Sequence, residues 1–179
     1  RALNLADVGL AKHQHTKSAL ANAAAHGHRS FFADVIVPSL GTANFRAYEY
    51  DGWYAYIGSL EGYFASSMDM LTQEAREGLF GVKNRPVLTK VRNSAPTKYK
   101  EGADVKTSFI ADGCVIEGTV ENSILFPGVV VEKGAVVRNC VLFKETAVRK
   151  GAQLAHVIAD KDVEIAENHT MMGQATYPV

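Results

Sequence analysis

Six cations crowd the stretch from Phe80 to Lys100, namely Lys83, Arg85, Lys90, Arg92, Lys98 and Lys100, and no carboxylate interrupts them between Glu77 and Glu101. Such a run suits a phosphorylated small molecule, because guanidinium and ammonium groups bond phosphate oxygens with charge assistance. Arg85, Lys90 and Lys98 are the best candidates for that anion site. The plainer account is solvation of a linker. Four histidines, His13, His15, His26 and His28, form two His-x-His pairs of a kind that binds zinc, but no cysteine or carboxylate is spaced to complete a tetrahedral set. Cap, turn and surface roles account for them more simply, and no metal site is assigned. Cys114 and Cys140 lack any C-x-x-C spacing and read as buried thiols rather than a disulfide or a metal pair. His156 and His169 are the remaining candidates for a general base.

The elements that would position these groups fall into two periods. From Ile110 onward a seven-residue phrase recurs: aliphatic, two variable residues, glycine, two variable residues, aliphatic. It reads Ile110-Ala-Asp-Gly113-Cys-Val-Ile116, then Val131-Glu-Lys-Gly134-Ala-Val-Val137, then Val148-Arg-Lys-Gly151-Ala-Gln-Leu154. The starts lie roughly 17 to 21 residues apart, near three hexapeptides, which is the rhythm of a three-sided parallel β-helix. Each side points one aliphatic residue inward, and glycine lets the chain turn the corner. One coil cannot bury its own core. The stretch from about Val105 to Ile165 holds roughly three or four coils, about the minimum for a self-supporting stack. The runs Ile124-Leu-Phe126 and Val129-Val-Val131 leave apolar groups facing out, so either the same chain or another subunit must cover them.

The first hundred residues follow other rules. Thr16 to Ala25 is rich in helix formers and stops near Gly27, which predicts a short helix. Phe31 to Val37 suits a second short helix or an extended element ending at Pro38. Phe45 to Tyr50 and Trp53 to Ile57, joined by Asp51-Gly52, predict a β-hairpin. Ser59 to Leu71 carries Leu60, Tyr63, Phe64, Met68 and Leu71 at helical spacing behind an acidic first turn. The basic crossover, broken by Pro86 and Pro96, is an extended connection able to add a strand beside a neighbour. The predicted organisation is thus an α/β portion over residues 1–78, a crossover over 79–104, and a β-helix over 105–179.

Composition argues against several classes. Nineteen basic and nineteen acidic residues give zero formal net charge, which disfavours nucleic-acid binding. No run of about 18 apolar residues is present and no signal-peptide core opens the chain, so a cytoplasmic protein without a membrane span is expected. The chain opens on Arg1 in the middle of a helix-and-strand pattern, as a piece of something longer would.

Two phrases carry a family resemblance. Asp51-Gly-Trp-Tyr-Ala-Tyr-Ile-Gly-Ser-Leu-Glu-Gly-Tyr-Phe-Ala-Ser-Ser-Met-Asp-Met-Leu71 resembles the G-Y-W-R-D-V-G-T-I-x-S-Y-W-x-A-N-M-D-L-L segment of bacterial glucose-1-phosphate adenylyltransferases, also called ADP-glucose pyrophosphorylases. Ser108-Phe-Ile-Ala-Asp-Gly-Cys-Val-Ile-Glu-Gly118, followed by Val120-Glu-Asn-Ser-Ile124, is similar to their N-S-L-I-A-D-G-C-x-I-E-G and V-x-x-S-V signature. The resemblance implies that residues 1 to about 75 end an α/β nucleotidyltransferase domain, and that the solenoid is the left-handed β-helix behind it. It also implies that an effector binds near where the two domains meet. The site of that effector is put in question by Phe126-Pro127-Gly128-Val129-Val130, where relatives carry arginines.

The departures from the family pattern bear on function. Relatives place Arg-Asp before Val-Gly-Thr, and that aspartate helps hold magnesium against the nucleotide phosphates; here the two positions are Ala55 and Tyr56. A neutral phenol supplies neither the charge nor the compact oxygen that magnesium requires. No catalytic residue is therefore assigned. No glycine-rich phosphate loop appears in these residues. The expectation is a regulatory, catalytically weak subunit of glycogen synthesis that forms hetero-oligomers with a catalytic subunit, or self-associates, with magnesium and ATP held by that partner. Two rivals stand beside it: a hexapeptide acyltransferase using His156 or His169 as base, and a β-helix assembly module without chemistry.

Overall fold

The computed structural model describes residues 25–27, 30–42, 44–81, 86–88 and 93–179. The predicted helix over Thr16 to Ala25 and the histidines His13, His15 and His28 lie outside the described residues, save Ala25 itself, which is helical. The chain divides into two compact units, Arg1–Asp51 and Gly52–Val179.

In the first unit, Phe31–Ile36 is helical and continues into the turn Val37–Ser39. Ser30 and Asp34 cap it reciprocally, the Ser30 hydroxyl accepting from Ala33 N at 3.1 Å and the Asp34 carboxylate from Ser30 N at 2.9 Å. Of the two readings of this stretch, the helical one holds. The helical run stops at Ser39, one residue past Pro38.

The predicted hairpin does not form. Neither 45–50 nor 53–57 has strand structure, and among the described residues every strand lies at or after Lys98. Alternation alone does not make a ladder: an isolated two-stranded hairpin is marginal in water until a third strand or a helix covers its apolar face.

The second unit begins with two helices, α1 (Leu60–Asp69) and α2 (Gln73–Phe80). Helix α1 matches the expected segment within two residues at each end. Its cap is Ser59, whose hydroxyl accepts from Gly62 N at 3.0 Å. Helix α2 starts at the Thr72 cap, which accepts from Ala75 N at 3.3 Å. A clamp closes the turn between them, since Arg76 Nη1 donates to the carbonyls of Met70 and Leu71 at 3.1 and 2.7 Å.

The rest is a parallel β-solenoid, as the hexapeptide rhythm predicts. Fourteen short strands make it: β1 (Lys98–Tyr99), β2 (Asp104–Lys106), β3 (Phe109–Ile110), β4 (Val115–Ile116), β5 (Thr119–Glu121), β6 (Ile124–Leu125), β7 (Val130–Val131), β8 (Val136–Arg138), β9 (Val141–Leu142), β10 (Ala147–Val148), β11 (Gln153–Ala155), β12 (Ile158–Ala159), β13 (Glu164–Ile165) and β14 (Thr170–Met172). They stack into three parallel sheets with orders β1-β4-β7-β10-β13, β14-β11-β8-β5-β2 and β12-β9-β6-β3. Strand β1 shows that the basic crossover ends by joining the first sheet, where Lys98 N donates to Cys114 O and Lys100 N to Ile116 O, each at 2.8 Å.

Successive rungs are 17 residues apart except in three pairs, Asp104 with Thr119, Phe109 with Ile124 and Val115 with Val130, which are 15 apart and all span the same short corner. Val115 pairs with Val130, only 15 residues on, while Val130 pairs with Ala147, 17 on. The missing pair is cut from one corner, between β4 (Val115–Ile116) and β5 (Thr119–Glu121). Gly118 makes the short corner possible: a Cβ there would collide with the Ala135 carbonyl and stand 2.8 Å from that of Glu132.

The core is the prism axis. Ile116, Val120, Val131, Val137, Leu142, Val148 and Leu154 are buried one above another, and burying each such side chain is worth roughly 1.5–3 kcal/mol. Corners use the left-handed backbone: Gly113 and Gly128 between the third and first sheets, Gly134 and Gly151 between the first and second, and Thr107, Asn122, Asn139 and His156 between the second and third. Polar rungs are satisfied within the stack: the Ser123 hydroxyl donates to Glu121 O at 2.8 Å and accepts from Cys140 N at 3.0 Å. The last residues cover one end of the third sheet, Ile158 N donating to Val179 O and Val179 N to His156 O at 2.8 and 3.0 Å.

Candidate functional site

Two features of the Gly52–Val179 unit could carry function: the segment holding Ala55 and Tyr56, and an apolar groove between the two helices and the solenoid.

Ala55 and Tyr56 lie in irregular chain just ahead of the α1 cap. The Tyr56 ring folds back over Gly58, where a Cβ would collide with it, and 70% of the residue stays exposed. Its carbonyl abuts the first turn of α1, 2.7 Å from where a Cβ on Gly62 would be. Backbone packing therefore fixes this segment against the helix, while the phenol faces solvent. The family pattern implies magnesium at this position, and the donors present do not fit it: an alanine methyl and a neutral hydroxyl offer no anionic oxygen. Among the described residues no group of three or more His, Cys, Asp or Glu side chains is placed to hold a metal ion.

The groove, about 390 Å³, is walled by Tyr63, Met70 and Phe80 from the helices and by Phe109, Ile124 and Phe126 from the solenoid. Alternation produces its floor. In the Ile124-Leu-Phe126 run Leu125 points into the prism and its neighbours point out, as the sequence suggested. The Val129-Val-Val131 run differs, since Val129 and Val131 are both fully buried and only Val130 faces outward. Aromatic stacking then ties α1 to the sheet: Phe126 stacks on Phe143 at 4.7 Å between centroids, and Tyr63 on Phe143 at 6.4 Å. Phe64, 3% exposed, packs on the His156 ring at 6.0 Å and 52°. Cover for the solenoid face thus comes in part from this chain's own helices. It is incomplete, for Phe109 remains 48% exposed.

The other sequence candidates fall elsewhere. Arg85 and Lys90 lie outside the described residues. Lys98 stands exposed on β1, and Lys100 is tied to Glu117 at 3.1 Å, one rung away. Lys100 belongs to a set of cross-rung ion pairs with Arg138–Glu121 at 3.1 Å and with Arg149, which joins Glu132 at 2.8 Å and Glu164 at 2.9 Å. The Arg149 guanidinium holds both the Glu132 and the Glu164 carboxyl below the usual range. His156 occupies a left-handed corner with its ring against Phe64, whereas His169 is exposed. His26 is exposed at a turn.

Both cysteines are free and buried, as read from the sequence. The Cys114 thiol bonds Phe126 O at 3.2 Å and that of Cys140 bonds Arg138 O at 3.1 Å. Burial pushes the Cys140 thiol up to about 11 and raises Cys114 as well, which leaves neither as a nucleophile at neutral pH. The sequence reading missed α2 and the Phe143–Tyr63 contact. The Thr72 cap before an Ala-Arg-Glu helical run was the available signal for the first, and nothing local signalled the second.

Residues 93–176 match the family described as GlmU-like, C-terminal hexapeptide. The chain is 49% identical over 132 residues to the glycogen biosynthesis protein GlgD of Bacillus subtilis, a match covering 74% of this chain and 38% of that protein. It is 54% identical over 72 residues to GlgD of Geobacillus stearothermophilus, covering 40% and 21%. It is also 36% identical over 119 residues to the glucose-1-phosphate adenylyltransferase of the same organism, covering 65% and 30%.

Its homologues are GlgD proteins and glucose-1-phosphate adenylyltransferases. The resemblance drawn from the Asp51–Leu71 and Ser108–Ile124 phrases therefore stands, and the solenoid is a hexapeptide-repeat domain. The chain spans less than two fifths of the length of these curated relatives. Among the described residues no helix is long and apolar enough to cross a membrane.

Proposed function

We propose that this chain is part of a noncatalytic, regulatory subunit of a glucose-1-phosphate adenylyltransferase assembly serving glycogen biosynthesis. The reaction served is transfer of AMP from ATP to glucose 1-phosphate with release of pyrophosphate. The observation that carries the reading is the pair Ala55–Tyr56, which leaves the family's magnesium position without a carboxylate. An anionic ligand missing there removes part of the charge stabilisation on which nucleotidyl transfer depends. Similarity to GlgD at 49% supports placing the chain with that type of protein. On this reading magnesium and ATP belong to a catalytic partner, and the chain acts through interfaces, with Lys98, Arg85 and Lys90 as candidate ligands for a phosphorylated effector.

A second reading, an assembly module with no regulatory role, is favoured by the groove, which is lined by aromatic and aliphatic side chains. One experiment separates them. The full-length protein containing this chain is assayed for ADP-glucose formation alone and mixed with its catalytic counterpart. The regulatory reading expects little activity alone and a several-fold rise, or a shifted effector response, on mixing. High activity alone with no change on mixing would refute it; complex formation without any kinetic change would support the assembly module.

A further inference from the structure

We draw no further inference here: the strongest candidate, the apolar groove between α1, α2 and the third sheet of the solenoid, lined by Tyr63, Met70, Phe80, Phe109 and Phe126, carries none because nothing in the structure shows what covers it.

Discussion

The stretch over residues 45–57 and the solenoid over residues 98–172 both alternate apolar and polar residues, yet only the second is made of strands. The solenoid's strands are two or three residues long, shorter than either arm of the expected hairpin. What separates them is the neighbour. Each solenoid strand finds a parallel partner 15 or 17 residues away, so its backbone groups are paired and its inward side chain enters a closed prism. The 45–57 stretch forms no strand among the described residues, and its Phe45, Tyr48, Tyr54 and Tyr56 are exposed. Period two becomes a strand only where a ladder is on offer.

The largest test of that contrast is Gly118→Val. The added side chain meets two backbone carbonyls that cannot move without breaking rungs, so a loss on the order of 4 kcal/mol or more is expected, read by urea denaturation. Gly41→Ala meets nothing within 4 Å and should leave the midpoint unchanged. Equal losses at the two glycines would sink the account of the shortened corner.

Phe64→Ala comes next, with about 3–5 kcal/mol lost from the docking of α1. Hydrogen exchange should quicken in α1 while amides of the inner rungs keep their protection, because the prism core contains no residue of that helix. Matching acceleration in both regions would show that the solenoid does not stand by itself.

Arg149→Met probes the ion-pair ladder through pH. Glu132 and Glu164 have folded carboxyls held below their ordinary range by Arg149, so their contribution is present above the unfolded carboxylate pKa and vanishes as pH falls through the lower folded values. The variant should lose a little stability at pH 7, and nothing relative to the parent at pH 2. Molar salt should shrink the difference at pH 7, and a gap that persisted in acid would contradict the assignment.

Thiol labelling sharpens the comparison from the interior. Iodoacetamide at pH 8 should leave Cys114 and Cys140 unmodified in the folded protein and alkylate both in 6 M guanidinium, since burial keeps each protonated and out of reach. The smallest effect is expected outside the solenoid: Tyr48→Ala, at an exposed side chain, should change stability by no more than about 0.5 kcal/mol.

Much of the architecture was legible because hexapeptide repeats are local. An aliphatic residue, a glycine and a second aliphatic residue at fixed spacing declare a side, a corner and the next side, and Gly113, Gly134 and Gly151 all sit at left-handed corners. Asn122, Asn139 and Glu145 do the same work without glycine, which the repeat phrase did not reveal. The candidate site was legible only as a pattern break. Ala55 and Tyr56 stand out against the motif around them, but no spacing rule tells that the phenol folds over Gly58.

By itself the sequence determined the solenoid, the buried thiols, helix α1 and the kinship, since each rests on residues a few positions apart or on a repeated phrase. Tertiary structure alone decided that Tyr63 would stack on Phe143, which in turn stacks on Phe126, while Val129 and Val131 would both turn inward. It also decided that one corner would run two residues short and that an alternating stretch would form no strand among the described residues. The physical reason is shared: burial and strand pairing are properties of partners brought from elsewhere in the chain, and a residue's own neighbours do not specify which partners arrive.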